Sequence, residues 1–169
     1  TGFTISDTAA AISAAGDTLL LAKNAAGTDF AQFIRVNDGG ALTLSVASAA
    51  KVFDRQNGST TRGVGSAMSD QDGNASATYD LVDTAANLAA ADPQLIGFAR
   101  NVTANTVATA AEATTLGGRT SMGTISYSVS DVASALTAGA GLNRAINITA
   151  TDAVDLAKAR ILHDATNTC

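Results

Sequence analysis

The stretch YDLVDTAANLAAA, from Tyr79 to Ala91, sets two kinds of residue pattern side by side. Tyr79, Leu81 and Val82 make a short run of β-forming residues, and TAANLAAA is built almost wholly from helix formers. Between them stands Asp83, read as a helix N-cap whose carboxylate accepts a free N–H of the first turn. The stretch therefore predicts a strand that turns directly into a helix.

The pattern recurs. Tyr127 begins YSVSDVASALTAG and Phe3 begins FTISDTAAAISAAG, with Asp131 and Asp7 in the place of Asp83. A second block follows each first one: RNVTANTVATAAEATTL from Arg100 to Leu116, and INITATDAVDLAKARIL from Ile146 to Leu162. Each second block reads as another β-branched strand and another Ala-rich helix, with Thr106 or its polar neighbours as the cap of the first. The Tyr79–Tyr127 spacing is 48 residues and the Asn101–Asn147 spacing 46, so an indel of two residues lies in the connection. In the first copy the second block is FIRVNDGGALTLSVASAAKVF, Phe33 to Phe53, with extra residues inserted before it.

Strands alternating with helices predict parallel strands and crossover helices. The expected fold is α/β, with repeated strand–helix–strand–helix units in a short solenoid-like or compact stacked domain. A closed doubly wound sheet is the alternative. One repeat-built domain covers 1–169: copy one about 3–53, a polar insertion about 54–78, copy two about 79–116, copy three about 125–162, and a tail 163–169.

Composition fits thin layers. Hydrophobic residues are 46% of the chain but aromatics only 4%, so the core is made from Ala, Leu, Val and Ile. Ten Lys and Arg against fifteen Asp and Glu give a net charge of −5, which repels phosphate backbones and argues against nucleic-acid binding. No run approaches the roughly 18 consecutive apolar residues that cross a bilayer, so no membrane insertion is expected. The chain opens at Thr1 rather than Met, the pattern expected of a processed or excised piece.

The strings SDTAA at 6–10, VDTAANLAAA at 82–91 and DGGALTLSVASAA at 38–50 resemble repeats of very large secreted bacterial surface proteins, adhesin-like and type I-exported chains among them. The resemblance covers most of the chain and is thinnest from Asp54 to Thr78. It implies an extracellular or cell-surface location and a spacer, adhesive or matrix role, and it carries over no catalytic residue. The glycine-rich GGxGxD calcium repeats that often accompany such proteins are missing from this sequence.

Chemistry-bearing candidates are few. Asp70, Asp72 and Asn74 stand at alternate positions beside Gly73, as in half of a calcium loop. With Asp70 as position one, Ala75 and Leu81 occupy places where an EF-hand needs Gly and Glu. The three are kept as the candidate metal ligands, with calcium as the candidate ion and no other cofactor expected. Cys169 is the sole cysteine, which excludes an internal disulfide and leaves an intermolecular one as its candidate role. His163, the sole histidine, has no nucleophile elbow and no second histidine with it, so it reads as a surface residue. Gly39-Gly40 and Gly117-Gly118 fit no phosphate-loop pattern and read as turns. The sequons at Asn57, Asn74, Asn101 and Asn147 are silent in a bacterial chain, and no strict TxT register supports ice binding.

These readings predict a non-catalytic extracellular subunit of a filament, matrix or surface layer, not an enzyme. Its expected partner is itself, as a homopolymer, or neighbouring repeats of a larger protein. The alternative is a monomeric adhesive module that binds glycans or a cell surface, with the 54–78 insertion as its contact loop.

Overall fold

The computed structural model describes residues 3–20, 31–54, 68–69, 78–139 and 141–166. The early part runs β1 (Phe3–Asp7), α1 (Ala9–Leu20), β2 (Ala31–Val36), β3 (Leu42–Leu44), α2 (Val46–Asp54) and β4 (Met68–Ser69). There follow β5 (Tyr79–Asp83), α3 (Ala85–Ala90), α4 (Pro93–Phe98), β6 (Val102–Ala104) and α5 (Ala110–Gly117). The last elements are β7 (Ile125–Asp131), α6 (Ala133–Ala138), a 3-10 turn at Leu142–Arg144, β8 (Ala145–Ala150) and α7 (Leu156–Thr166). The strands lie in two sheets, ordered β1-β2-β4 and β3-β5-β6-β7-β8, and the strand registers are parallel. The fold is the stacked α/β arrangement that the alternating pattern predicts.

The repeat is finer than the tyrosine spacing suggests. One strand and one helical return make a coil, and the coils stack by short spans of chain. The amide of Ala85 donates to Thr106, that of Ala110 to Asp131 and that of Ala133 to Asp152, spans of 21, 21 and 19 residues. Each strand–helix–strand–helix unit of the sequence is two such coils. The aromatic recurs only in alternate ones: β5 carries Tyr79 and β7 carries Tyr127, whereas β6 between them holds no aromatic.

The helix caps differ from the sequence expectation. Thr84 and Thr109 are the N-caps of α3 and α5, their hydroxyls accepting from the amides of Asn87 and Glu112. Glu112 returns a carboxylate to the Thr109 amide, completing a capping box. The N-cap of α6 is Val132, which has no side-chain oxygen to offer. Asp83 and Asp131 sit one residue too early to cap, and Thr106 stands three residues before the cap of its own helix. Their oxygens are turned to another use, described below.

Two compact units make up the chain: Thr1–Leu81 with Phe98–Arg100, and Val82–Gly97 with Asn101–Cys169. In the first, Leu42 pairs with Tyr79 and Leu44 with Leu81, all four at most 2% exposed. Helix α1 packs on β3 and α2, bringing the buried Ile12 to that layer, and is kinked at Gly16, whose φ of 46° suits a residue without Cβ. Gly40 passes so close to Ala9 that an added Cβ would lie 2.9 Å from the Ala9 Cβ.

In the second unit, alternation along β7 buries Ile125, Tyr127 and Val129 while Ser126, Ser128 and Ser130 stay half-exposed. Helices α3 and α5 pack on one another, contributing the buried Ala85, Leu88, Ala110, Ala113 and Leu116. Alanines at these contacts let helix backbones approach closely. The tightest approach joins Gly117 to Gly141: a Cβ on Gly117 would stand 2.4 Å from the Gly141 Cα. Beneath it the Tyr127 hydroxyl donates toward the carbonyls of Gly141 and Ala113, at 2.5 and 3.3 Å. A buried phenol requires such partners.

Candidate functional site

The corner where each strand enters its helix is the most regular polar feature. Parallel coils bring the start of one helix beside the strand end of the next coil, so a polar side chain there meets amides from two coils. Asp131 shows the full arrangement. Its Oδ1 accepts from the Val132 amide at 2.8 Å, and its Oδ2 accepts from Ala110, one coil earlier, at 3.0 Å. Those two amides, Ala110's first, hold the Asp131 carboxyl below its usual 3.8. Asp38 receives the Ala9 and Gly40 amides on its one oxygen, Oδ1, and is also held low. Thr106 takes the Ala85 amide and Asp152 takes the Ala133 amide. Asp83 accepts from the Thr84 amide and the Asn87 side chain. Each side chain in this row accepts from at least one backbone amide, which makes the row part of the architecture.

A shallow open groove of about 420 Å³ is lined by Thr120, Ser121, Gly123, Thr124, Ile125, Ser126 and Arg144. It opens where the loop after α5 leads into β7. The Arg144 guanidinium is fixed by donating Nη1 to the Arg119 carbonyl at 2.8 Å, and the Thr124 hydroxyl bonds to Asn101. Arg119 in turn donates to the carbonyls of Ala89 and Ala91 at the end of α3. The groove thus offers hydroxyls and one cation on a fixed frame, without an aromatic side chain for stacking.

The final coil is the third feature. Strand β8 runs half-exposed to exposed along its whole length, where β7 beside it alternates with buried positions. Ile146 is 67% exposed, Leu156 80% and Ile161 50%, with Val154 at 39%. Val154 and Leu156 repeat places that the preceding copy buries with Ala108 and Ala110, and no further coil covers them among the described residues.

His163 lies near the end of α7, exposed, with Nδ1 3.5 Å from the neighbouring Asp164. Nothing nucleophilic is brought to it by a described hydrogen bond. Asp70, Asp72, Asn74 and Cys169 lie outside the described residues, as does most of the 54–78 insertion. Among the described residues, no group of three or more His, Cys, Asp or Glu could hold a metal ion, and no helix is long and apolar enough to cross a membrane.

No protein-family model, curated protein or solved structure matches the chain. Sequence reasoning missed the groove, because Ser, Thr and a lone Arg give no spacing signal. It also missed the two-coil role of the aspartates, whose sign was the recurrence of Asp at one place in each strand end.

Proposed function

We propose that this chain is a non-catalytic extracellular structural subunit, a stack of coils that goes on stacking against further coils in a filament, matrix or surface layer. The observation that carries the reading is the final coil, where Val154 and Leu156 stand exposed at places whose counterparts in the preceding copy, Ala108 and Ala110, are buried. Stacked-repeat proteins that end in solvent close their ends with polar capping repeats. The Ala/Thr-rich motifs and the acidic, lightly charged composition support the extracellular placing.

Negative-stain electron microscopy of the full chain, with and without reductant and with calcium or chelator, tests the reading. Regular assemblies are expected; compact single particles in every condition would sink it. Loss of assembly with reductant would assign the link to Cys169, and loss with chelator would assign calcium to Asp70, Asp72 and Asn74.

The groove beside Arg144 favours a second reading, an adhesive module for an anionic glycan. Its hydroxyls and guanidinium suit a carboxylated sugar. A glycan array probed with the chain and with Arg144→Ala separates the two readings.

A further inference from the structure

We infer that the free edge of β8 receives β1 of a second copy of this chain, so that one parallel coil-to-coil interface continues from copy to copy. The inference rests on the structural-subunit reading and names its partner and its contact.

Among the described residues, β8 pairs only with β7, and β1 only with β2. Their far edges are unpaired among the described residues and complementary in direction: in a parallel stack, that of β8 suits a following strand and that of β1 a preceding one. Edge strands are commonly blunted by Lys, Pro or a bulge. Neither AINITA at 145–150 nor FTISD at 3–7 contains Lys, Arg or Pro, and the register irregularities, at Phe3/Thr4 and between Ala145 and Ile148, lie outside the residues that would pair.

The register within the chain states how the copies would meet. Val129 pairs with Ile148, Ser130 with Thr149 and Asp131 with Ala150. Ile5-Ser6-Asp7 repeats the pattern of Val129-Ser130-Asp131. Laid on the far side of β8 in the same register, Ile5 falls on Ile148, Ser6 on Thr149 and Asp7 on Ala150. Val129, with a coil on either side, is 1% exposed, whereas Ile148 is only half-buried, as a residue covered from one side would be.

Asp7 supplies the independent observation. Its Oδ1 accepts from the Thr8 amide at 2.7 Å, as Asp131 does from Val132. The second oxygen of Asp131 takes an amide from the preceding coil. Among the described residues Asp7 takes no amide from a preceding coil, whereas Asp38 and Asp152 also take theirs, from Ala9 and Ala133. A preceding copy ending in β8 would present amides of the corner after that strand to this carboxylate. The contact is heterologous, using different surfaces on the two copies, so it propagates into a ring or a filament rather than closing as a two-fold dimer.

The test uses the full chain in sedimentation velocity over a concentration series reaching about 1 mM. Two double variants place charges on the exposed Ser6 and Thr149, which the register sets opposite one another: Ser6→Lys with Thr149→Lys, and Ser6→Glu with Thr149→Lys. Both lose the same Ser6–Asn37 hydrogen bond, so they differ only in the sign of one charge. The opposite-charge variant is expected to associate at about tenfold lower concentration than the like-charge one. Ile146→Lys tests the β8 arm separately and is expected to weaken association. Equal association of the two double variants, or an unchanged Ile146→Lys, would overturn the junction and leave the structural reading standing. Association lost equally in both double variants would show β8 meeting β8, and would overturn it too. A wild-type chain that stays monomeric throughout overturns the structural reading itself.

Discussion

Gly141→Ala tests the packing that holds the second unit together. Gly141 has φ of +89°, in the left-handed region, where an L-residue with a Cβ is disfavoured by about 1–2 kcal/mol. The new Cβ would lie 2.4 Å from the Ala113 carbonyl oxygen, 3.0 Å from the Gly117 Cα and 3.1 Å from the Tyr127 hydroxyl. Two of these are backbone atoms that cannot swing aside, and the third belongs to a phenol bonded to the same carbonyls. Overpacking of this kind adds about 1–3 kcal/mol. The sum centres on about 3 kcal/mol, and for a chain of this size each kcal/mol moves the melting temperature by about 2–4 °C. A drop of about 6–12 °C is expected in far-UV circular dichroism melts, with matching loss in urea. Gly97→Ala is the control, because Gly97 lies in α4 with nothing within 4 Å of its Cβ site. That change should be neutral or stabilise by about 0.5 kcal/mol. Equal melting temperatures for the two variants would refute the packing argument.

Three further outcomes follow from the same geometry. Leu136→Ala, at a side chain with 0% exposure, should destabilise by about 2–5 kcal/mol in urea titration, and a loss under about 1 kcal/mol would contradict the burial. Both tyrosines of the chain are buried, and burial raises each phenol above its ordinary value of 10, Tyr127 being drawn partly back by Arg144. A raised folded-state value means stability present below pH 10 and lost as pH climbs through the folded values. Absorbance near 295 nm should therefore show no half-ionised phenol at pH 10 while the fold persists. Asp131 is held below 3.8, so its contribution is full above that pH and disappears as pH falls through the folded value. The stability gap between the wild type and Asp131→Asn should accordingly narrow in acid, and a gap unchanged down to about pH 3, below the ordinary aspartate value of about 3.9, would contradict the two-amide contact.

The alternation of strand and helix was legible because each coil carries both periods within about twenty residues, as at YDLVDTAANLAAA. The length of the coil was obscured by Tyr79 and Tyr127, whose bulk marks every second coil. At α3 the cap was misplaced by one residue because Asp83 and Thr84 stand together, and each has an oxygen fit to cap. Local sequence favours the carboxylate, yet in the fold the Thr84 hydroxyl caps its own helix while aspartates in this place look outward to neighbouring amides. That choice depends on chain about twenty residues away, which no local pattern contains. Of the candidate site, the recurring strand-end aspartates Asp7, Asp83 and Asp131 were legible as corner residues. The groove was not, since its shape comes from a loop meeting the 3-10 turn that carries Arg144.

The row of corner side chains also imposes an order on synthesis. The helix start of each coil is completed by an oxygen that belongs to the coil after it, at spans of 21, 21 and 19 residues in the second unit. A coil leaving the ribosome therefore waits with an unsatisfied amide until its successor has emerged. The growing chain is sealed one coil behind its own tip, always from the N-terminal side.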